Sequence, residues 1–180
     1  MTNRYLEGAF APLHDEYTLT DLSVTGTIPD YLDGRYLRNG PNPIGEIDPE
    51  LYHWFLGDGM VHGIRIRDGK AEWYRNRWVR GPYTVAALGE GTPEGHGVPF
   101  SIGANTNVLG HAGKTLALVE GGGANYELTD ELDTIGACDF DGTLSGGYTA
   151  HPKRDPETCE LHAVSYSFTR GNTVQYSVIG

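Results

Sequence analysis

The sequence predicts an all-β chain of antiparallel hairpins. Gly at 26 and Pro at 10 of 180 residues punctuate short apolar segments, as in folds with many turns. Several of those segments alternate apolar and polar side chains around tight turns. No stretch shows the spacing of a long amphipathic helix. Repeated hairpins at this spacing suit a sandwich, a barrel or propeller blades, and periodicity does not choose among the three.

Residues 1–50 read as a lead-in segment and turn-rich loop. The stretch Asp30-Tyr31-Leu32-Asp33-Gly34 through Arg38-Asn39-Gly40-Pro41-Asn42-Pro43 is dense in turn formers, which suits a rigid loop. A first hairpin follows: residues 61–67, the turn Asp68-Gly69, then residues 70–79. Asp-Gly is a strong hairpin signal, because both central turn residues need positive φ. Residues 89–99 form a long surface loop. A second hairpin runs over 105–120 around His111-Ala112-Gly113-Lys114, and a third over 161–179 around Arg170-Gly171-Asn172. No internal repeat is evident. The last strand reaches Gly180 without a cap or charged tail, so an apolar edge there expects a neighbour. Residues 1–180 are read as a single incomplete domain, with the hairpins in 51–180.

Apolar residues at 38% and charged residues at 21% suit a globular chain. The net charge of −11 repels nucleic acid, and no Lys/Arg cluster offsets it. Arg75, Arg77 and Arg80 are expected on one solvated strand face. Cys138 and Cys159 have neither metal nor redox spacing and suit a reducing compartment. The N-terminus lacks an apolar signal region, and no stretch approaches the about 18 apolar residues of a membrane span. A soluble, cytoplasmic protein is the expectation.

The histidines are His14, His53, His62, His96, His111, His151 and His162. No two have the i, i+2 spacing of a strand face or the i, i+4 spacing of a helix face, so a local zinc motif is excluded. Any metal site must gather ligands from distant segments. Taken alone, His151 reads as a hydrogen-bonded structural histidine sooner than a ligand. His53, beside Trp54 and Phe55, reads as packed. Gly121-Gly122-Gly123 is a bend and not a phosphate loop, since no Gly-Lys-Ser/Thr follows. The acidic run Asp130, Glu131, Asp133, Asp139 and Asp141 lacks the spacing of a calcium loop and reads as a solvated surface. Ser145 lacks the flanking glycine pattern of a nucleophile elbow, since position 143 is Thr. Glu120 ends the apolar run Leu116-Ala117-Leu118-Val119, where a charge must reach water or a donor. It either meets solvent or holds a ligand imidazole by its N–H.

Five ordered segments carry a resemblance. They are Arg38-Asn39-Gly40-Pro41-Asn42-Pro43, Trp54-Phe55-Leu56-Gly57-Asp58-Gly59-Met60-Val61-His62, Asn105-Thr106-Asn107, Leu116-Ala117-Leu118-Val119-Glu120 and Thr149-Ala150-His151-Pro152-Lys153. In order and spacing the chain from about Gly26 onward resembles the carotenoid cleavage oxygenases. The resemblance implies the N-terminal part of a seven-bladed β-propeller, with Fe(II) on its axis held by four histidines. It implies His151 as the first of these ligands, the other three having no counterpart here. It implies Glu120 as a carboxylate behind the ligands, its partner a histidine of a later blade. Phe55, in the first-blade motif, is assigned to the substrate tunnel.

Two departures stand out. Cys159 occupies a turn position where the family usually has Gly, so the turn is expected to be altered. Val119 stands where stilbene-cleaving relatives have a Lys that grips a phenol. The resemblance therefore implies a dioxygenase that splits a C=C bond of a carotenoid or apocarotenoid with O2 into two carbonyl products. The alternatives are a stilbene-cleaving relative and a catalytically inactive propeller or binding fragment. The lipophilic substrate leaves peripheral membrane contact open, although no amphipathic anchor is visible.

Overall fold

The computed structural model describes residues 3–90 and 103–180. Its described strands are β1 (Thr18–Leu19), β2 (Gly34–Pro41), β3 (Gly59–Arg67), β4 (Lys70–Trp78), β5 (Asn107–His111), β6 (Lys114–Leu118), β7 (Asn125–Leu128), β8 (Thr134–Cys138), β9 (Lys153–Arg154), β10 (Leu161–Tyr166) and β11 (Val174–Ile179). One short helix, α1 (Pro82–Leu88), follows β4. All pairings are antiparallel, in three sheets ordered β1-β4-β3-β2, β5-β6-β7-β8 and β11-β10-β9.

The three expected hairpins form. Asp68 and Gly69 take φ of 48° and 71° between β3 and β4, and Ala112 and Gly113 take 46° and 78° between β5 and β6. These left-handed pairs match the right-handed twist of the strands they join. β10 and β11 pair from Leu161↔Ile179 to Tyr166↔Val174.

Residues 34–41 are a strand and not the loop expected of them. β2 pairs along its whole length with β3, from Gly34↔Ile66 to Pro41↔Gly59. The turn formers Gly34, Gly40 and Pro41 sit at its ends, where a missing donor or side chain costs little. Between them Arg35, Leu37 and Asn39 face the second sheet, while Tyr36 and Arg38 are exposed. Helix α1 spans barely two turns, too few for a helical period to register. Pro82 starts it, and Gly89, at φ 68°, caps it by donating to Ala86 and Val85 carbonyls. Gly89 thus belongs to the helix end, and residues 91–99 of the expected surface loop lie outside the described residues.

The sheets stack through two cores. The first joins Val61 and Trp73 of the β1–β4 sheet to Ala117, Tyr126 and Leu128 of the β5–β8 sheet, with Leu132 at its centre. The second joins Leu116 and Leu118 to Tyr148, Ala150 and Ala163.

Asp130, Glu131 and Asp133 of the acidic run stay solvent-exposed as expected, but Arg75 and Arg77 do not form a solvated face, their side chains being 21% and 17% exposed. The two groups close on each other between the sheets. Arg35 pairs with Asp130 at 3.1 Å, Arg75 with Glu131, and Arg77 with Asp133 at 3.4 Å. Arg35 also donates to the Asp130 carbonyl at 3.1 Å and to Thr115 Oγ1 at 2.8 Å. Arg80 turns aside to Glu16 and Glu90. The turn that presents these acids is closed by Thr129, which donates its N–H to Asp133 O (2.8 Å) and accepts from Leu132 N (3.1 Å). It holds Leu132 at φ 71° with none of its surface exposed. Each exposed ion pair contributes at most about 1 kcal/mol, so the buried leucine dominates. Among the described residues no helix is long and apolar enough to cross a membrane.

The turn expected to be altered at Cys159 is intact. Cys159 adopts φ 64° itself. Its N–H donates to Asp155 O (2.9 Å), and Asp155 Oδ1 accepts from the Glu157 and Thr158 N–H groups. Those two backbone donors hold the Asp155 carboxyl below its ordinary range.

Two stability outcomes follow for the full-length protein in denaturant melts. Leu132→Ala should lose about 2–5 kcal/mol; a loss no larger than that of an exposed leucine would refute the central role of this side chain. Cys159→Gly should gain about 0.5–1 kcal/mol, because glycine relieves a left-handed cost of about 1–2 kcal/mol while adding unfolded-state entropy. A loss on that exchange would show that the cysteine side chain stabilises the turn.

Candidate metal centre

Glu120 lies just past β6, where the buried run Leu116-Ala117-Leu118-Val119 ends. The glycine run that follows lets a second segment approach it closely. A Cβ on Gly147 would lie 2.1 Å from backbone atoms of Gly122, so only glycine fits at 147. That approach brings Thr149 and Ala150 against the carboxylate. Glu120 Oε1 accepts from Thr149 Oγ1 at 2.9 Å and from Ala150 N at 3.0 Å.

His151 follows directly. Its N–H donates to Thr149 Oγ1 at 3.3 Å. Its side chain is 62% exposed, and Nε2 stands 3.7 Å from Glu120 Oε1, too far for a hydrogen bond. The backbone leading to the imidazole is fixed while the ring is left open. On the other side of the same peptide, Asn107 Nδ2 donates to Ala150 O at 2.8 Å. Thr149 and Asn107 were invisible as site residues in the sequence, since a hydroxyl and an amide name no partner until the sheets stack.

Four of the other histidines have other occupations, and His14 is exposed. His53 Nδ1 accepts from Phe55 N at 3.4 Å and its ring lies 5.0 Å from Tyr5, although the residue is exposed and not packed as expected. His111 Nε2 is 3.3 Å from Gly180 O. His162 Nδ1 meets the Tyr176 hydroxyl. His62 Nδ1 lies 2.8 Å from the Tyr74 hydroxyl and 3.5 Å from Arg38 Nη2. Burial, with Arg38 adding to it, pushes the His62 imidazole from 6.5 down to about 4. His96 lies outside the described residues. Among the described residues no three His, Cys, Asp or Glu side chains gather as a metal cluster. Phe55 is 75% exposed, on a turn whose carbonyls at Phe55 and Gly57 accept from Asn105 Nδ2 at 3.1 and 2.6 Å. Val119 is only 3% exposed.

The family model described as retinal pigment epithelial membrane protein matches residues 10–180. A carotenoid cleavage oxygenase of Mycobacterium tuberculosis is 69% identical over 181 residues, covering 99% of this chain. The chain belongs to the carotenoid cleavage oxygenase family. Its match spans 36% of that relative's length. A carotenoid 9,10(9′,10′)-cleavage dioxygenase 1 of Pisum sativum is 36% identical over 217 residues, covering 99% of the chain and 38% of the relative. Among solved structures, the lignostilbene dioxygenase of Pseudomonas brassicacearum superposes with a TM-score of 0.79 at 29% identity, over 100% of this chain and 41% of that one. The chain thus spans little more than a third of the carotenoid cleavage oxygenases it matches. The family-level chemistry is oxygenation, and the antiparallel sheets are those of its solved members.

His62 gives a pH outcome. Its folded value lies below its ordinary one, so the neutral form is the one the fold favours. Its contribution is complete above about 6.5 and is lost as pH falls from there towards about 4. The melting temperature of the full-length protein should fall across that window, and His62→Gln should flatten the fall. An unchanged slope in the variant would assign the acid sensitivity elsewhere.

Proposed function

We propose that this chain is the N-terminal part of a non-haem Fe(II) dioxygenase that cleaves a C=C bond of a carotenoid or apocarotenoid into carbonyl products. One observation supports it above the others. The His151 backbone is held by Glu120 and Thr149 while its imidazole stays free of hydrogen-bond partners beside a carboxylate. A neutral imidazole is a suitable donor to Fe(II). One such donor fits a corner of a centre, and the other histidines would come from beyond Gly180. The stacked antiparallel sheets support the reading of this region as the first blades of a seven-bladed propeller.

Bound Fe(II) would supply the dioxygen chemistry that no side chain here can perform. The residues of this chain do the placing. His151 offers one nitrogen lone pair. Glu120 fixes the peptide that presents it and adds negative charge within 3.7 Å of the ring, which favours a cation nearby. Its Oε1 is occupied by Thr149 and Ala150, so a histidine of a later blade would be met by Oε2. Phe55 is assigned to the apolar path of the polyene, and a cytoplasmic enzyme would meet that substrate at a membrane surface.

A second reading, cleavage of a phenolic stilbene, is favoured by the superposition on the lignostilbene dioxygenase. Burial of Val119 weighs against it, since that position offers no group to hold a phenol.

The test uses the full-length protein reconstituted anaerobically with Fe(II). Iron should bind close to one per chain, and His151→Ala should lose it together with cleavage of an apocarotenal. A His151→Ala protein that keeps wild-type iron and turnover would overturn the assignment. Faster cleavage of a hydroxystilbene than of the apocarotenal would favour the second reading.

A further inference from the structure

We infer that Asn107 is a positioning residue for the metal centre, gripping the Ala150 peptide from the side opposite Glu120 so that His151 is presented in one orientation. The inference rests on His151 being a ligand. It begins with the amide chemistry. A primary amide can donate and accept at once, and both ends of Asn107 are in use. Oδ1 accepts from Val108 N at 2.8 Å, which fixes the side-chain rotamer. Nδ2 is thereby aimed across the gap between segments and donates to Ala150 O at 2.8 Å.

The same residue is anchored from behind. Asn39 of β2 donates through Nδ2 to Asn107 O at 2.9 Å and to Ala104 O at 2.7 Å. A relay therefore runs from the first sheet, through the start of β5, to the residue preceding His151. Ala150 is fully buried. Its N–H is taken by Glu120 and its C=O by Asn107, so side chains from two different strand ends hold the two groups of one residue. The Ala150 C=O is part of the peptide bond to His151. Rotation of that peptide would swing the imidazole, and Asn107 is the side chain that opposes it. Ala150 also packs in the second core, which limits translation as the hydrogen bonds limit rotation.

Outer groups that orient a metal ligand typically change metal affinity by about 10–100-fold when replaced. The experiment takes full-length protein with Asn107→Asp, which keeps the shape and the Val108 acceptor but removes the donor, and with Asn107→Ser, which is too short to reach Ala150. Anaerobic Fe(II) titration of the folded apo-proteins should give dissociation constants raised about tenfold or more. The visible ligand-field spectrum of the Co(II)-loaded variants should shift from that of the wild type. Wild-type affinity and an unshifted Co(II) spectrum would overturn the inference, as would variants that melt earlier yet whose folded fraction binds Fe(II) like the wild type. His151→Ala is measured in parallel. If it loses the metal while the Asn107 variants bind normally, only the positioning role fails. If it binds as the wild type does, the ligand assignment itself fails.

Discussion

Everything in this region is arranged around β6, the strand buried on both faces. Leu116, Ala117 and Leu118 are each fully buried, with Ala117 in the first core and its two neighbours in the second. A strand buried on one face alternates apolar with polar, whereas one packed from both sides reads as a continuous apolar run. Burying each large side chain contributes roughly 1.5–3 kcal/mol, so slipping β6 by one residue would force leucine into the alanine site of the first core and leave alanine in a leucine site of the second. The register of β6 is therefore strongly fixed, and so is the place where it stops. Glu120 stands two residues beyond that stop. Its position inherits the precision of two cores without itself being buried.

A second constraint is the junction between sheets, where backbone groups have no ladder to join. Buried peptide groups without partners are costly, and amide side chains supply the partners. Asn42 accepts from Leu13 N and donates to Leu13 O. Asn76 does the same for Tyr17 N and Asp15 O, Asn105 serves two carbonyls of the 55–57 turn, and Asn39 and Asn107 hold the β5 end and Ala150. The asparagines of the Arg38–Pro43 and Asn105–Asn107 segments are thus structural links between segments, Asn42 tying the end of β2 to Leu13 and Asn39 tying β2 to the start of β5. The Asn105–Asn107 links reach the candidate centre because its segments are themselves junctions.

Much of the fold was legible in the sequence wherever the information was local. Asp68-Gly69 dictates its turn, and period-two alternation marks β3, β4, β10 and β11. Strand β2 was obscured because glycines and proline gather at its ends, where sheet pairing tolerates them, and its pairing with β3 is a nonlocal fact. The clasp of Arg35, Arg75 and Arg77 on Asp130, Glu131 and Asp133 was illegible for the same reason. Each half alone resembles a solvated face, and only the burial of Leu132 brings the halves together. At the centre, composition and spacing could exclude a local metal motif but could not raise His151 above a structural histidine. Its standing came from family resemblance, and the partners Thr149 and Asn107 came only from geometry.

That geometry also distinguishes His151 from four of the other histidines by where the restraint falls. A ligand imidazole gives one ring nitrogen to the metal and can hydrogen-bond through the other. His53, His62, His111 and His162 each have a ring nitrogen engaged by a backbone group or a tyrosine hydroxyl. For His62 the engagement goes further: Tyr74 and the Arg38 guanidinium both crowd Nδ1, and a guanidinium can only donate, so that nitrogen is committed as an acceptor. His151 reverses the pattern. Its restraints fall on the main chain, through Thr149 and the pinned Ala150 peptide, and its ring has only a carboxylate nearby at 3.7 Å. Restraint through the backbone with an open ring suits a donor that must meet ligands delivered by other segments, and it explains why the surrounding precision of β6 is spent on the residue before the histidine.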